Sequence, residues 1–308
     1  MKFQQLRYFA SVAQHGSLSR AAEQLCVAQP ALTRQIQLLE RELEVILFLR
    51  RARGVALTEA GKILLNRCET VLRSVERVKS ELGDLGHQPR GTIRIGCTPG
   101  LTDHLAVEAI HSFMTKWPDV KIHLQEHPSD ILRKAVLSEE LDIAILTAKD
   151  PHSDLETQHI FNEPIHLFGQ VGSLDGHPIN LQTISDRRLI LARRSLTTRE
   201  VIERLFTEKN IKPEIIMETD SILAVARMVS RGAGYTVAPK LSLQRQFDEG
   251  QITSSAIHDF WISRVMIWRR DAWITQGLKE FINEVQLSAQ KLKLNKLKTK
   301  QEVENKPH

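Results

Sequence analysis

Hydrophobic positions recur along this chain in three rhythms, and each predicts a different kind of structure. In the first, residues 3–14 place Leu6, Phe9, Ala10 and Ala13 on one side of a helix. A short helix follows from Leu18 to about Leu25, with Ser17 as its N-cap. The chain turns through Cys26 and Val27. Gln29-Pro30 then opens another helix, Pro30 standing where a missing N–H costs nothing. In that helix Leu32, Ile36, Leu39 and Leu43 make a buried stripe. Gln29, Thr33, Arg34, Gln37 and Arg41 occupy the other face. Beyond it, Leu47–Arg50 and Val55–Leu57 are short enough to pair as a hairpin turning near Arg53-Gly54.

The second rhythm begins after Thr58-Glu59, a capping residue followed by an acid favourable in a first helical turn. Leu64, Cys68, Val71, Val75, Val78, Leu82 and Leu85 alternate spacings of four and three, a heptad seam. Such a helix is roughly 40 Å long, more than a small domain can cover. The seam therefore predicts pairing with the same helix of a second subunit, in preference to burial in its own core. Gly83, Gly86, Pro89 and Gly91 end it and mark a hinge.

From Thr92 strands and helices alternate. Strands are predicted over Thr92–Gly96, Val120–Gln125, Leu141–Leu146, Ile165–Val171, Leu189–Ala192, Glu214–Met217, Tyr235–Ala238 and Val265–Arg269. Helices are predicted over Asp103–Trp117, Asp130–Ser138, Thr198–Lys209, Ser221–Arg231 and Ala272–Ala289. This order predicts an α/β fold, a mostly parallel sheet covered by helices on both faces, as two lobes with a ligand cleft between them. The expected domains are a winged helix-turn-helix over 1–58, a linker helix and hinge over 59–90, and a two-lobed domain over 91–290. Lobe one takes about 91–161 and 268–290, lobe two about 162–267. The Lys-rich tail, 291–308, is expected to be disordered.

Charge sharpens this division. The net charge of +5 on 308 residues separates into +5 for residues 1–90, −4 for 91–286 and +4 for 287–308. A basic N-terminal part predicts an anionic partner there. Gln and Arg can make bidentate bonds to base edges, so the polar face of the second motif helix suits a DNA major groove. Arg50, Arg51 and Arg53 crowd the hairpin, which suits a wing laid on phosphates or in a minor groove. Three scattered cysteines, no signal-peptide pattern and no run of about 18 apolar residues predict a cytoplasmic protein with no membrane association.

In the two-lobed part, hydroxyls gather where strands give way to helices. Thr98, Gly100 and Leu101 follow the first strand, Ser129 opens the next helix, and Thr147 ends the third strand. Ser195, Thr197 and Thr198 hold the matching place in lobe two. Hydroxyls and free N–H groups at helix starts form an anion receptor, and Arg193, Arg194 and Arg199 would favour a carboxylate. Hydroxyls at helix starts are also ordinary caps.

One string points elsewhere. His123-Leu124-Gln125-Glu126-His127 matches an H-x-x-E-H zinc-hydrolase signature. Its setting is a predicted strand, where the histidines would stand about 13 Å apart, too far to share a metal. No Gly-rich phosphate loop and no motif-bound nucleophile appears, so no enzyme and no cofactor is expected.

The stretch LRYFASVAQHGSLSRAAEQLCVAQPALTRQIQLLERELEVILFLRRARGVALTEAG resembles the DNA-binding half of LysR-type transcriptional regulators. The match rests on Ala21-Ala22, Gln29-Pro30-Ala31, Leu39-Glu40 and the LF-x-R…LT-x-A-G ending. RIG, FMTKWPDV, ELDIAIL and MVSRGAGYTVAP resemble the family's effector-binding domain, whose two-lobed fold is shared with periplasmic binding proteins. Glu44-Val45 stands where the family often has a glycine, and Leu49 where it usually has a polar residue.

The resemblance implies DNA contacts at Gln29, Pro30, Thr33, Arg34, Arg50 and Arg53. It also implies a small-molecule effector at the hydroxyl cluster, with an anion the candidate class. Its assembly would be a homo-oligomer, a tetramer built from dimers, on promoter DNA, with dimer contacts through Leu64, Val71, Val75, Val78 and Leu82. The competing reading from another class is a solute-binding module whose N-terminal helices serve assembly alone.

Overall fold

The computed structural model describes residues 1–51, 54–83, 89–193 and 197–304; of 76, 77, 79–83 and 293–304 it describes the backbone alone. The chain divides into two compact units, 1–82 and 83–308.

In the first unit, α1 (Phe3–His15), α2 (Leu18–Gln24) and α3 (Gln29–Leu43) enclose a core of Leu6, Phe9, Val12, Ala21, Leu32, Ile36 and Leu39. Ser17 caps α2 by accepting from the Arg20 amide. The sharp turn before α3 passes through Cys26 in the left-handed region, φ 54°. β1 (Phe48–Arg51) and β2 (Gly54–Leu57) pair antiparallel as the expected hairpin. Gly54, at φ 106°, lies so close to α1 that a Cβ there would stand 2.2 Å from the Gly16 carbonyl oxygen. That approach and the Val55 N–H to Gly16 O bond (2.9 Å) fix the wing against the end of α1.

α4 (Glu59–Gly83) is the long helix, its first turn closed by Thr58 Oγ1 accepting from the Gly61 amide. Its seam divides. Cys68 is buried against the unit's own core, donates to the Leu6 carbonyl, and has Leu64 packed beside it. Val71 and Val78 are about half exposed. Leu64, expected as a dimer contact, is partly buried against this core at the end of α4 that α1 covers. Val71, Val75 and Val78 carry the seam onward; the side chains of Leu82 and Leu85 lie outside the described residues.

The second unit is built on a six-stranded sheet in the order β4-β3-β5-β10-β6-β9. β3 (Gly91–Cys97), β4 (Val120–Glu126) and β5 (Ile143–Thr147) run parallel, as expected from the βαβ order. β5 is buried on both faces: Ile143 and Ile145 meet α5 (Val107–Lys116) and α10 (Gln276–Glu304), and Ala144 and Leu146 meet α6 (Ser129–Leu137). In lobe two, β7 (Arg188–Ala192) and β8 (Glu214–Thr219) are parallel. α7 (Thr197–Glu208) covers one face, α8 (Ile222–Ser230) and β9 (Thr236–Pro239) complete the lobe, and α9 (Gln244–Asp248) follows.

Three expectations are corrected. β6 (Leu155–Gln170) and β10 (Ile252–Arg269) are single strands of 16 and 18 residues that pair antiparallel along both lobes. The short segments at Ile165–Val171 and Val265–Arg269 are only parts of them, and the sheet is mixed. Second, the helix expected over Asp103–Trp117 starts as a π-turn, Thr102–Ala106, before α5. Third, α10 continues through the residues expected as a disordered tail, to Glu304. Leu292 still packs against the core and Lys291 pairs with Glu108 at 3.9 Å, which extends the helix past the predicted end.

Candidate functional site

Two surfaces carry the chemistry. On α3, Leu32, Ile36 and Leu39 face inward, which leaves Gln29, Pro30, Arg34, Gln37 and Arg41 exposed on the opposite side. Ala28 at the N-cap offers no side chain to the first-turn N–H groups, so they stay open to a phosphate. Thr33 is half-buried and donates to the Gln29 carbonyl (2.9 Å), which orients its hydroxyl along the helix. Arg50 and Arg51 are exposed on β1; Arg53 lies outside the described residues. Of the six expected DNA residues, five thus lie among the described residues, four of them exposed.

The second surface is a cleft between the lobes, with about 130 Å³ of room for the centres of water-sized molecules. The expected residues Thr98, Ser129, Thr197 and Thr198 line it. Thr98 is 7% exposed, and its Oγ1 has no hydrogen-bond partner among the described residues. Ser129 Oγ accepts from the Thr147 amide (3.3 Å), tying the start of α6 to the end of β5. Thr147 Oγ1 lies 3.4 Å from Thr198 Oγ1, and Thr197 Oγ1 donates to Asp130 (2.9 Å). The starts of α6 and α7 therefore meet across the cleft. Leu191, Ile202, Ile222, Val225 and Val237 make its apolar wall.

Two expected residues play another part. Leu101 is fully buried in the core of lobe one. Gly100, at φ 82°, packs its backbone on Leu241-Ser242; a Cβ would come within 2.8 Å of Ser242 Cα. It sets the position of the Thr98 loop and does not line the cleft. Ser195 and Arg194 lie outside the described residues.

Two of the arginines expected to add positive charge, Arg193 and Arg199, are spent on carboxylates. Arg199 is fully buried, 2.8 Å from Glu203 and 3.0 Å from Glu218, with a further bond to the Ala192 carbonyl (2.6 Å). Arg193 faces Asp220 at 3.2 Å. The cation that the sequence reading missed is Arg264, which lines the cleft and donates to Glu163 and to Thr147 Oγ1, each at 2.5 Å. Thr219, Thr236 and Ser242 were missed with it. The pairing of β10 with β5, which sets Arg264 opposite Thr147, and with β6 brings Arg264 here, and no local motif marks it.

His123 and Glu126 lie on β4, an extended strand, and His127 follows it. Among the described residues no His, Cys, Asp or Glu group is arranged to hold a metal ion. Burial pushes the Cys97 thiol up to about 12 and the Cys68 thiol up to about 11, so both stay protonated at neutral pH. No helix among the described residues is long and apolar enough to cross a membrane.

Comparison with known proteins gives two family matches. The model for bacterial regulatory helix-turn-helix proteins of the lysR family matches residues 3–62, and that for the LysR substrate binding domain matches 86–289. The chain is 32% identical over 241 residues to the nitrogen assimilation regulatory protein nac of Klebsiella aerogenes, covering 78% of this chain and 79% of that one. It is 28% identical over 289 residues to the transcriptional regulator GltR of Bacillus subtilis, covering 92% and 96%. Among solved structures, full-length CbnR with its target DNA superposes with a TM-score of 0.72 at 23% identity, covering 94% of this chain and 100% of that one. Full-length OxyR from Pseudomonas aeruginosa gives 0.68 at 21%, covering 93% and 98%.

Proposed function

The chain belongs to the LysR family of bacterial helix-turn-helix regulators, so it is a DNA-binding transcriptional regulator with an effector-binding domain and not an enzyme; on that premise we propose how its residues divide the work. α3 reads a promoter through Gln29, Pro30, Thr33 and Arg34, and Arg50 and Arg53 hold the flanking phosphates. The observation that carries this reading is the exposed polar face of α3 beside a basic hairpin. α4 pairs two copies through Val71, Val75 and Val78, which gives two reading heads, and pairs of dimers form a tetramer.

The cleft takes the effector. Its polar contacts are the hydroxyls of Thr98, Ser129, Thr197 and Thr198, together with Thr147 and Arg264. Among the described residues its arginines already face carboxylates. A small molecule rich in hydrogen-bond acceptors, an anion included, is thus selected by the hydroxyls and helix starts and not by a free cation.

The test is binding to the DNA upstream of the chain's own gene, followed by fluorescence anisotropy over a salt series. Wild type should bind specifically. Arg34→Ala should lose about 1–3 kcal/mol at one base while keeping its non-specific, salt-dependent binding. Equal specific affinity in the two proteins would remove α3 as the reader. A thermal-shift screen of small metabolites then identifies the effector, because a ligand of the folded state raises apparent stability.

A further inference from the structure

Among the described residues, two ionic clusters stand where the lobes meet, and they differ in kind. Arg264–Glu163 is buried at the strand crossing, with side chains 2% and 0% exposed. The other pair of contacts sits at the cleft's rim and centres on Lys149, just past the end of β5. Its Nζ lies 3.3 Å from Asp130, in the first turn of α6, and 3.1 Å from Glu200, in the first turn of α7. Asp130 and Lys149 belong to lobe one, Glu200 to lobe two. The second oxygen of Asp130 accepts from Thr197 Oγ1, also across the gap.

We propose that Lys149, Asp130 and Glu200 form an ionic latch across the mouth of the cleft, one that closes the lobes and makes the effector site sensitive to ionic strength. The first half stands on the geometry alone, and the second rests on the reading of the cleft as the effector site.

The charges argue for a latch and against a fixed strut. Asp130 and Glu200 are both negative and stand on the two helix starts that meet across the cleft. With Lys149 between them they attract a common cation, and without it they repel each other. The hydrogen bond to Glu200, against a smaller cost of desolvation, raises the Lys149 pKa, so the ammonium stays charged through the neutral range. Asp150 and Arg204 line the same hollow and add one charge of each sign.

All three latch side chains are open to solvent, 36%, 28% and 43% exposed, so salt reaches the contacts and screens them over about 8 Å at physiological strength. Exposed pairs of this kind are weak enough to break and re-form. The Arg264–Glu163 pair is shut away from that screening. The crossing therefore acts as a permanent pivot and the rim as its reversible catch.

The closed state can be read without any effector. In the full chain, with Cys26→Ser removing the exposed thiol, Thr147→Cys and Thr198→Cys put two sulfurs where hydroxyls now stand 3.4 Å apart. Oxidised glutathione then cross-links them when the lobes are closed. The initial rate should fall about three- to tenfold between low and high salt, the range expected for two exposed ion pairs. Adding Lys149→Met should lower the low-salt rate by a similar factor and abolish the salt dependence.

Equal rates with Lys149 and with Met at this position, or the same salt dependence in both, overturn the latch. Should the paired cysteines disturb the fold, hydrogen exchange of the first turns of α6 and α7 gives a second reading in a chain changed only by Glu200→Gln. Faster exchange at both turns, insensitive to salt, supports the latch, and exchange equal to wild type overturns it. Neither measurement uses effector or DNA, so failure here leaves the regulator reading to its own promoter-binding and thermal-shift tests.

Discussion

Arg264 donates from Nε to Glu163 at 2.5 Å, and neither side chain is more than 2% exposed. The pair sits where β6 and β10 pass from one lobe to the other. Glu163 also accepts the Leu241 amide (2.6 Å), and Arg264 reaches Thr147 at the end of β5 (2.5 Å). Four segments are thus held by one buried pair. Removing a single partner strands a charge in the interior. Glu163→Ala should destabilise the second unit by about 3–5 kcal/mol, whereas the double change Glu163→Leu with Arg264→Met should recover most of that loss. Urea unfolding of the three chains decides this. A double variant no more stable than Glu163→Ala would mean that the pair is worth more than its desolvation.

Glu284 on α10 gives a pH prediction with a definite sign. It is buried against α5, where Ser112 donates to it at 2.7 Å and Lys116 pairs with it. Burial alone would raise its pKa. The hydrogen bonds from Lys116 and Ser112 outweigh that and hold the carboxyl below its ordinary 4.5. A depressed carboxylate contributes stability above its unfolded pKa and loses it as pH falls through the folded one. The gap between wild type and Glu284→Gln should therefore be constant at neutral pH and narrow below about pH 4.5. A gap that stays constant into acid would mean that Glu284 acts through shape alone.

These two carboxylates also show what a sequence hides. The helices and the parallel strands were legible because their apolar residues keep a period, as in the all-apolar Ile143–Leu146. β6 and β10 were not, because Glu163-Pro164 and His258-Asp259 interrupt the alternation at the crossing and make each strand read as a fragment. A buried Glu163 and Arg264 look like any surface pair until the long-range partner is known. The hydroxyls of Thr98, Ser129, Thr197 and Thr198 were legible because helix starts have a local signature. Arg264, Thr219 and Thr236 reach the same cleft through pairing between distant strands. Gly100 and Leu101 pack away from the hydroxyls because neighbours along the loop face in different directions.

Heptad spacing likewise cannot name its partner, and the structure divides α4 accordingly. Cys68 is 1% exposed and packs on α1, whereas Val71 and Val78 are 45% and 51% exposed. Val71→Glu with Val78→Glu should leave the protomer's stability within about 0.5 kcal/mol, as for surface changes, yet halve the mass seen in sedimentation. Cys68→Asp should instead unfold the first unit, since it buries an unpaired charge. An unaltered mass for the valine pair would place the oligomer contact elsewhere.

Glu44 ends α3 in the left-handed region at φ 54°, where the family often has glycine. A side chain there carries strain that glycine avoids, partly offset by the greater entropy glycine loses on folding. Glu44→Gly should therefore stabilise the first unit by about 0.5–1 kcal/mol, read from its thermal midpoint. A lower midpoint would show that the Glu44 carboxylate makes a compensating contact.

Thr98 sets stability against function within one atom. Its Oγ1 is buried at the cleft with no hydrogen-bond partner among the described residues, a state that costs about 1–3 kcal/mol. Thr98→Val keeps the shape and removes the unpaired hydroxyl, so the second unit should melt higher, by about 2–4 °C for each kcal/mol relieved. The same change deletes the hydroxyl of a residue that lines the cleft. A small molecule returned by the thermal-shift screen should bind the variant about tenfold more weakly, one neutral hydrogen bond's worth, while promoter affinity without ligand stays unchanged. A variant that melts higher and still binds the ligand as wild type does would leave the unpaired hydroxyl a packing defect. Weaker binding together with a higher midpoint is the combination that a purely structural Thr98 cannot give, because a residue that only supports the fold loses both together.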